Sequence, residues 1–122
     1  MKKLSEHQEQ SIVFGWAVQH IDRIPELRWM FAIPNGARVP IGLAVKLKKE
    51  GLRKGVSDIF LPVSRGGYHG LFIEMKAIGG KPSPEQYAFT DFANKQGYKA
   101  IICYGHKVTI DQIINYMELK DE

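Results

Sequence analysis

Asp58-Ile59-Phe60-Leu61-Pro62-Val63 and Leu71-Phe72-Ile73-Glu74-Met75-Lys76 decide how this 122-residue chain folds. Both runs have the length and the branched and aromatic content of strands. The segment between them, Ser64-Arg65-Gly66-Gly67-Tyr68-His69-Gly70, has the glycines a tight reversal needs, so an antiparallel hairpin is expected. Side chains alternate along a strand, which sends Leu71, Ile73 and Met75 to a core-facing side and Glu74 and Lys76 to the other. Asp58, opening the neighbouring strand, adds a third charge to that second face. Carboxylates in the middle of a small sheet cost several kcal/mol to bury unless paired or bound to a cation, so this face must border a cleft or a metal.

The flanking segments complete an α/β pattern. Ile12, Val13, Trp16, Ala17 and His20 recur at helical spacing and predict a helix over about Ser5 to Asp22. Leu27 to Ile33 reads as a strand, and Pro34-Asn35-Gly36 as a turn. Ile41 to Glu50 returns to a helical pattern through Leu43, Ala44 and Leu47, with Gly51 suited to its C-terminal cap. After the hairpin, Ser83-Pro84-Glu85-Gln86 is a helix start, with serine as N-cap and glutamine placed to bond back. Phe89, Phe92 and Ala93 are the apolar stripe of that helix. A short strand, Lys99 to Tyr104, and a last helix opened by Thr109-Ile110-Asp111-Gln112 and packed through Ile113, Ile114 and Met117 end the chain. One domain over residues 1–122 is the expectation.

Composition excludes several classes. The single Cys103 sits in an apolar run and allows neither an internal disulfide nor a cysteine zinc site. The histidines, His7, His20, His69 and His106, lack zinc-ligand spacing and read as surface or turn residues. Trp16 and Trp29, with Phe14, Phe31 and Tyr104, could stack on bases, but their helical or strand spacing favours a place in the core. No run approaches a membrane span, and the start turns polar where a signal peptide needs an apolar region, so a reducing cytoplasm is expected. The net charge of +4 is modest, but its placement is lopsided. Arg38, Lys46, Lys48, Lys49, Arg53 and Lys54 stand against Glu50 alone, which leaves the rest of the chain about neutral. A basic segment leading into a carboxylate cluster suits a polyanion, with DNA phosphates the natural partner. Asn35 and Arg38, in a polar turn, add a second place to approach a phosphate.

Two oxygen ligands from different strands, Asp58 and Glu74, with positions left for water and substrate, suit a hard cation such as Mg²⁺ or Mn²⁺. The Met75 carbonyl is a candidate further ligand. Lys76, on the same face, is placed to orient or help deprotonate an attacking water and to offset negative charge. Together these parts serve hydrolysis of a phosphodiester.

At this point the sequence resembles the VRR-NUC branch of the PD-(D/E)XK nucleases, in the stand-alone form often carried by bacteriophages. The resemblance rests on Glu6-His7-Gln8-Glu9-Gln10, Pro34-Asn35-Gly36, Gly55-Val56-Ser57-Asp58-Ile59, Phe72-Ile73-Glu74-Met75-Lys76 and Ser83-Pro84-Glu85-Gln86, in family order over most of the chain. It implies a restriction-endonuclease-like mixed sheet flanked by helices. It also implies a divalent ion held by Asp58 and Glu74, Lys76 as catalytic lysine, and Gln86 contributing from the following helix. Glu6 or Glu9 would reach the ion, with Glu6 favoured by the motif's spacing. The family commonly has proline where Ser57 stands, a departure that bears on local rigidity and leaves the carboxylate intact. Stand-alone members look like homodimers acting on branched DNA such as four-way (Holliday) junctions, in a bacterial cell or phage-infected host. Two other readings are a catalytically silent DNA-binding module and a restriction-type endonuclease, the latter reading bases through the Arg65-Gly66-Gly67-Tyr68 reversal and the Asn35 turn.

Overall fold

A computed structural model of the chain describes residues 3–34 and 39–121. Asn35 and Arg38 lie outside the described residues. In chain order the elements are α1 (Glu6–Gln19), β1 (Phe31–Ala32), α2 (Ile41–Lys49), β2 (Ile59–Leu61), β3 (Leu71–Lys76), α3 (Pro84–Lys95), β4 (Lys99–Tyr104) and α4 (His106–Met117), with a 3₁₀ helix over Pro25–Trp29. The strands form one mixed sheet in the order β1-β2-β3-β4. β2 and β3 pair antiparallel as the hairpin pattern requires, with Ile59 opposite Ile73 and Phe60 opposite Phe72. β3 and β4 run parallel, a pairing that needs a crossover, and α3 provides it.

Alternation along β3 sorts the two faces. Leu71, Ile73 and Met75 are fully buried, and with Ile59, Leu61 and Cys103 they pack against Val13 and Ala17 of α1 and Ile113 and Tyr116 of α4. On the other face Phe72 meets Phe89 of α3 edge to face. The sheet is therefore sandwiched, with α1 and α4 on one side and α3 on the other. This is the mixed α/β architecture expected for a PD-(D/E)XK domain.

The helix starts follow from local chemistry. Ser83 accepts from the Gln86 N–H while Gln86 Oε1 accepts from the Ser83 N–H, a reciprocal capping box with Pro84 at the first turn. Ser5 and Gln8 form the same box at α1, from the same Ser-x-x-Gln spacing. Gly51 follows α2 with φ 109°, as its capping position demands.

Four expectations are corrected. The strand expected over Leu27 to Ile33 is mostly the 3₁₀ helix, because Pro25 at its first turn favours helical φ and only Phe31–Ala32 pair with β2. Trp29 and Phe31 are consequently exposed rather than core. The last helix opens at His106 behind Gly105, whose φ of 84° turns the chain; Thr109 is buried one turn inside, its hydroxyl donating to the Gly105 carbonyl. Phe92, placed on the inner stripe of α3, is 60% exposed, and α2 buries none of its residues.

Candidate active site

Asp58 lies at the bend that enters β2, and its two ends serve different neighbours. Its carbonyl accepts from the Ile33 N–H at 2.7 Å, and its Oδ2 accepts from the Met75 N–H at 2.7 Å. The carboxylate thus stands at the end of the β2–β3 ladder, beside Glu74. Met75 buries its side chain in the core, with Sδ receiving the Thr109 hydroxyl, so any part it has in the site falls to its backbone. Glu74 is 1% exposed, Lys76 8% and Asp58 9%. Lys76 Nζ sits 3.8 Å from Glu74 Oε2 and 3.7 Å from Oε2 of Glu6, at the start of α1. The face read as charged from its alternation therefore carries Asp58, Glu74 and Lys76, and the half-exposed Glu6 reaches Lys76 from α1.

One lysine cannot balance this cluster. Burial, the Asp58 carboxyl hydrogen-bonded to Glu74 and the Asp58 charge together push the Glu74 carboxyl up to about 9, against a smaller downward pull from Lys76. Glu74 Oε1 is buried and has no hydrogen-bond partner. A buried acceptor left open beside a second carboxylate is what an oxygen-seeking cation fills. Among the described residues no three carboxylate, imidazole or thiol side chains group into a ready metal cage. Asp58 and Glu74 form a sparser set, of the kind that suits Mg²⁺ or Mn²⁺, which keep several waters and take few protein ligands. The donor set fits such an ion.

The first-helix acids have separate fates. Glu6 faces Lys76. Glu9 is 4% exposed and accepts from both the backbone N–H and the ring Nδ1 of His106, which ties α1 to the start of α4. Burial by itself would raise the Glu9 carboxyl, but the two His106 hydrogen bonds and its charge outweigh it and hold Glu9 below the usual range. His106, expected at a surface or turn, is thus half-buried as the partner of an acid. Sequence reading missed this pair, since nothing local links residues this far apart.

Gln86 uses its side-chain oxygen in the α3 cap, and among the described residues no hydrogen bond joins it to Asp58, Glu74 or Lys76. Lys46, Lys48 and Lys49 are exposed on the last turns of α2, followed by exposed Arg53 and Lys54. Lys54 pairs with Glu85 at 3.6 Å, which joins the basic segment to the start of α3. Gly55 lies tight against Glu85 with φ 92°, leaving no room for a side chain. Ser57, at the position of the family's proline, is buried with its hydroxyl unpartnered. The reversal after β2 is not free to read a groove. Arg65 donates to Glu26 at 3.0 Å, Gly66 bonds to the Lys120 carbonyl, and Tyr68 packs on the core.

Comparison with known proteins bears on the family and the fold. A sequence-family model described as the VRR-NUC domain matches residues 31–107. A solved structure titled "VRR_NUC domain protein" is similar, with TM-score 0.82 and 29% identity over 98% of this chain and 93% of that one. A search of curated proteins found no match. No described helix is long and apolar enough to cross a membrane. The chain belongs to the VRR-NUC family, and its function is of the nuclease type.

Proposed function

We propose that this chain is a metal-dependent endonuclease that hydrolyses phosphodiester bonds in branched DNA, four-way junctions included, as a symmetric homodimer. The observation that carries the reading is the buried, unpartnered Glu74 Oε1 beside Asp58 and Lys76. Asp58 and Glu74 would hold a Mg²⁺ or Mn²⁺ ion there, which when bound would acidify water and offset charge on the scissile phosphate. Lys76, held between Glu74 and Glu6, presents its ammonium group on that face, where it orients the attacking water and stabilises charge developing on the phosphate. Glu6 pairs with Lys76 from α1 and would be the first-helix acid to reach such an ion; Glu9 is committed to His106.

The exposed Lys46, Lys48, Lys49 and Arg53 grip the phosphates of the DNA, with Lys54 beside them, and Asn35 and Arg38, earlier in the chain, are assigned the same role. Gln86 supports the site by fixing the start of α3. A restriction-type role is disfavoured, because the reversal that would read bases is pinned through Arg65 and Gly66. Homodimers and junction cutting rest on the family resemblance.

The deciding experiment incubates the purified chain with linear, flapped and four-way DNAs in Mg²⁺, Mn²⁺ or EDTA. Metal-dependent cutting that favours the branched substrates is expected. Failure to cut any of them with either metal would reduce the protein to a DNA-binding module.

A further inference from the structure

The register that sets Phe60 opposite Phe72 makes residues 58 and 74 the next pair along the same face of β2 and β3. Two strand residues span about 7 Å, so an aromatic pair stands directly beside the carboxylate pair. Phe60 and Phe72 stack at 4.3 Å between ring centroids, Phe31 meets Phe60 at 5.8 Å, and Tyr98 meets Phe72 at 5.2 Å. The wall opens into a cavity of about 380 Å³ lined by His69, Phe72, Phe89, Phe92, Gln96 and Tyr98. Aromatic rings at strand and helix spacing are usually core. Here none of these rings is fully buried, and Phe31 and Phe92 are 48% and 60% exposed.

We propose that this cavity receives one unpaired nucleobase of the DNA, next to the phosphate held at Asp58 and Glu74. The inference rests on the nuclease reading and deepens it. A base is joined to its phosphate through one sugar, and the Phe72 edge of the cavity lies two strand residues from Glu74, with the rest of the cavity extending toward the starts of β3 and β4. Flat rings on several sides offer stacking to any base, a sequence-tolerant interaction. The Gln96 amide supplies a donor and an acceptor for a base edge. Bases stacked inside continuous duplex cannot enter without unstacking, whereas an unpaired base, as at a bulge or a flap, enters at little cost. The cavity therefore selects DNA with unpaired bases without reading sequence.

The test places 2-aminopurine at the unpaired position of a bulged duplex and compares wild type with Phe92→Ala and Phe92→Trp, in Ca²⁺ for binding and Mn²⁺ for cutting. Stacking predicts quenched fluorescence on wild-type binding and its loss in Phe92→Ala. Affinity for bulged DNA should fall about tenfold while continuous duplex binds unchanged, and Phe92→Trp should restore both readouts. Phe92 is exposed, so Phe92→Ala is expected to melt with wild type. Unquenched probe, or a Phe92→Ala variant that binds and cuts bulged DNA as wild type does, overturns the pocket and leaves the nuclease standing. Quenching without cutting of any DNA keeps the pocket and removes the nuclease. Sedimentation showing that Phe92→Ala dissociates a dimer, with quenching unaltered, would make the cavity a contact between copies and overturn the proposal.

Discussion

Glu74 concentrates the chemistry of the protein into one titratable group. In the metal-free fold its carboxyl is raised to about 9, against 4.5 for an ordinary glutamate. Below 4.5 both folded and unfolded chains hold the proton. Between the two values the unfolded chain releases it while the folded chain keeps it, so stability falls as pH rises through that window and levels off above about 9. Thermal melts in EDTA should show this decline, and Glu74→Gln, which keeps the shape without the acid, should flatten it. A wild-type profile no steeper than that of the variant would contradict the buried-acid account. If Glu74 binds the proposed divalent ion, the ion must displace the proton, and Mn²⁺ should raise the melting temperature more at pH 8 than at pH 6. Asp58→Asn and Lys76→Ala are expected to lower cleavage by about 10²-fold or more while DNA binding, measured by fluorescence anisotropy, persists. Normal cutting by either variant would remove that side chain from the mechanism.

Elements are held in place by contacts that a strand or helix pattern does not reveal. Gly55 has φ 92°, and a Cβ there would lie 2.7 Å from the Glu85 carbonyl oxygen, backbone that cannot swing aside. Gly55→Ala should therefore cost about 1–3 kcal/mol in urea unfolding, with strain and displacement both opposing it. A variant as stable as wild type would show that the start of α3 can shift freely. The same contact joins the basic segment to α3, so cleavage should weaken along with stability. Glu9 and His106 join α1 to α4, and Gly105 donates to the Lys76 carbonyl at 2.9 Å. Through these bonds the end of β3, where Lys76 sits, is fixed to both helices.

At the scale of the whole molecule, a sheet covered by α1 and α4 on one side and α3 on the other leaves the charged cluster at the end of the β2–β3 ladder, next to the aromatic wall. Elements on both sides converge there: Glu6 from α1, the strands, and the cap of α3. If the domain cuts both strands of a junction as proposed, twofold pairing would present two active sites. Analytical ultracentrifugation at micromolar concentration should return a dimer. A monomer that still cleaves junctions would dispose of the twofold arrangement.

The amino-acid sequence by itself determined the hairpin, its alternation, both Ser-x-x-Gln helix starts and the convergence of Asp58, Glu74 and Lys76. These depend on neighbours a few residues apart or on the fixed pleat of paired strands, so local pattern suffices. Only the tertiary structure decided that Glu6 stands at Lys76 while Glu9 turns to His106, 97 residues away. It alone turned residues 25–29 into a 3₁₀ helix, engaged Arg65 with Glu26 and left Phe92 in the open. Each of those outcomes is set by which remote surface a side chain meets when the layers close, and no spacing along the chain encodes it.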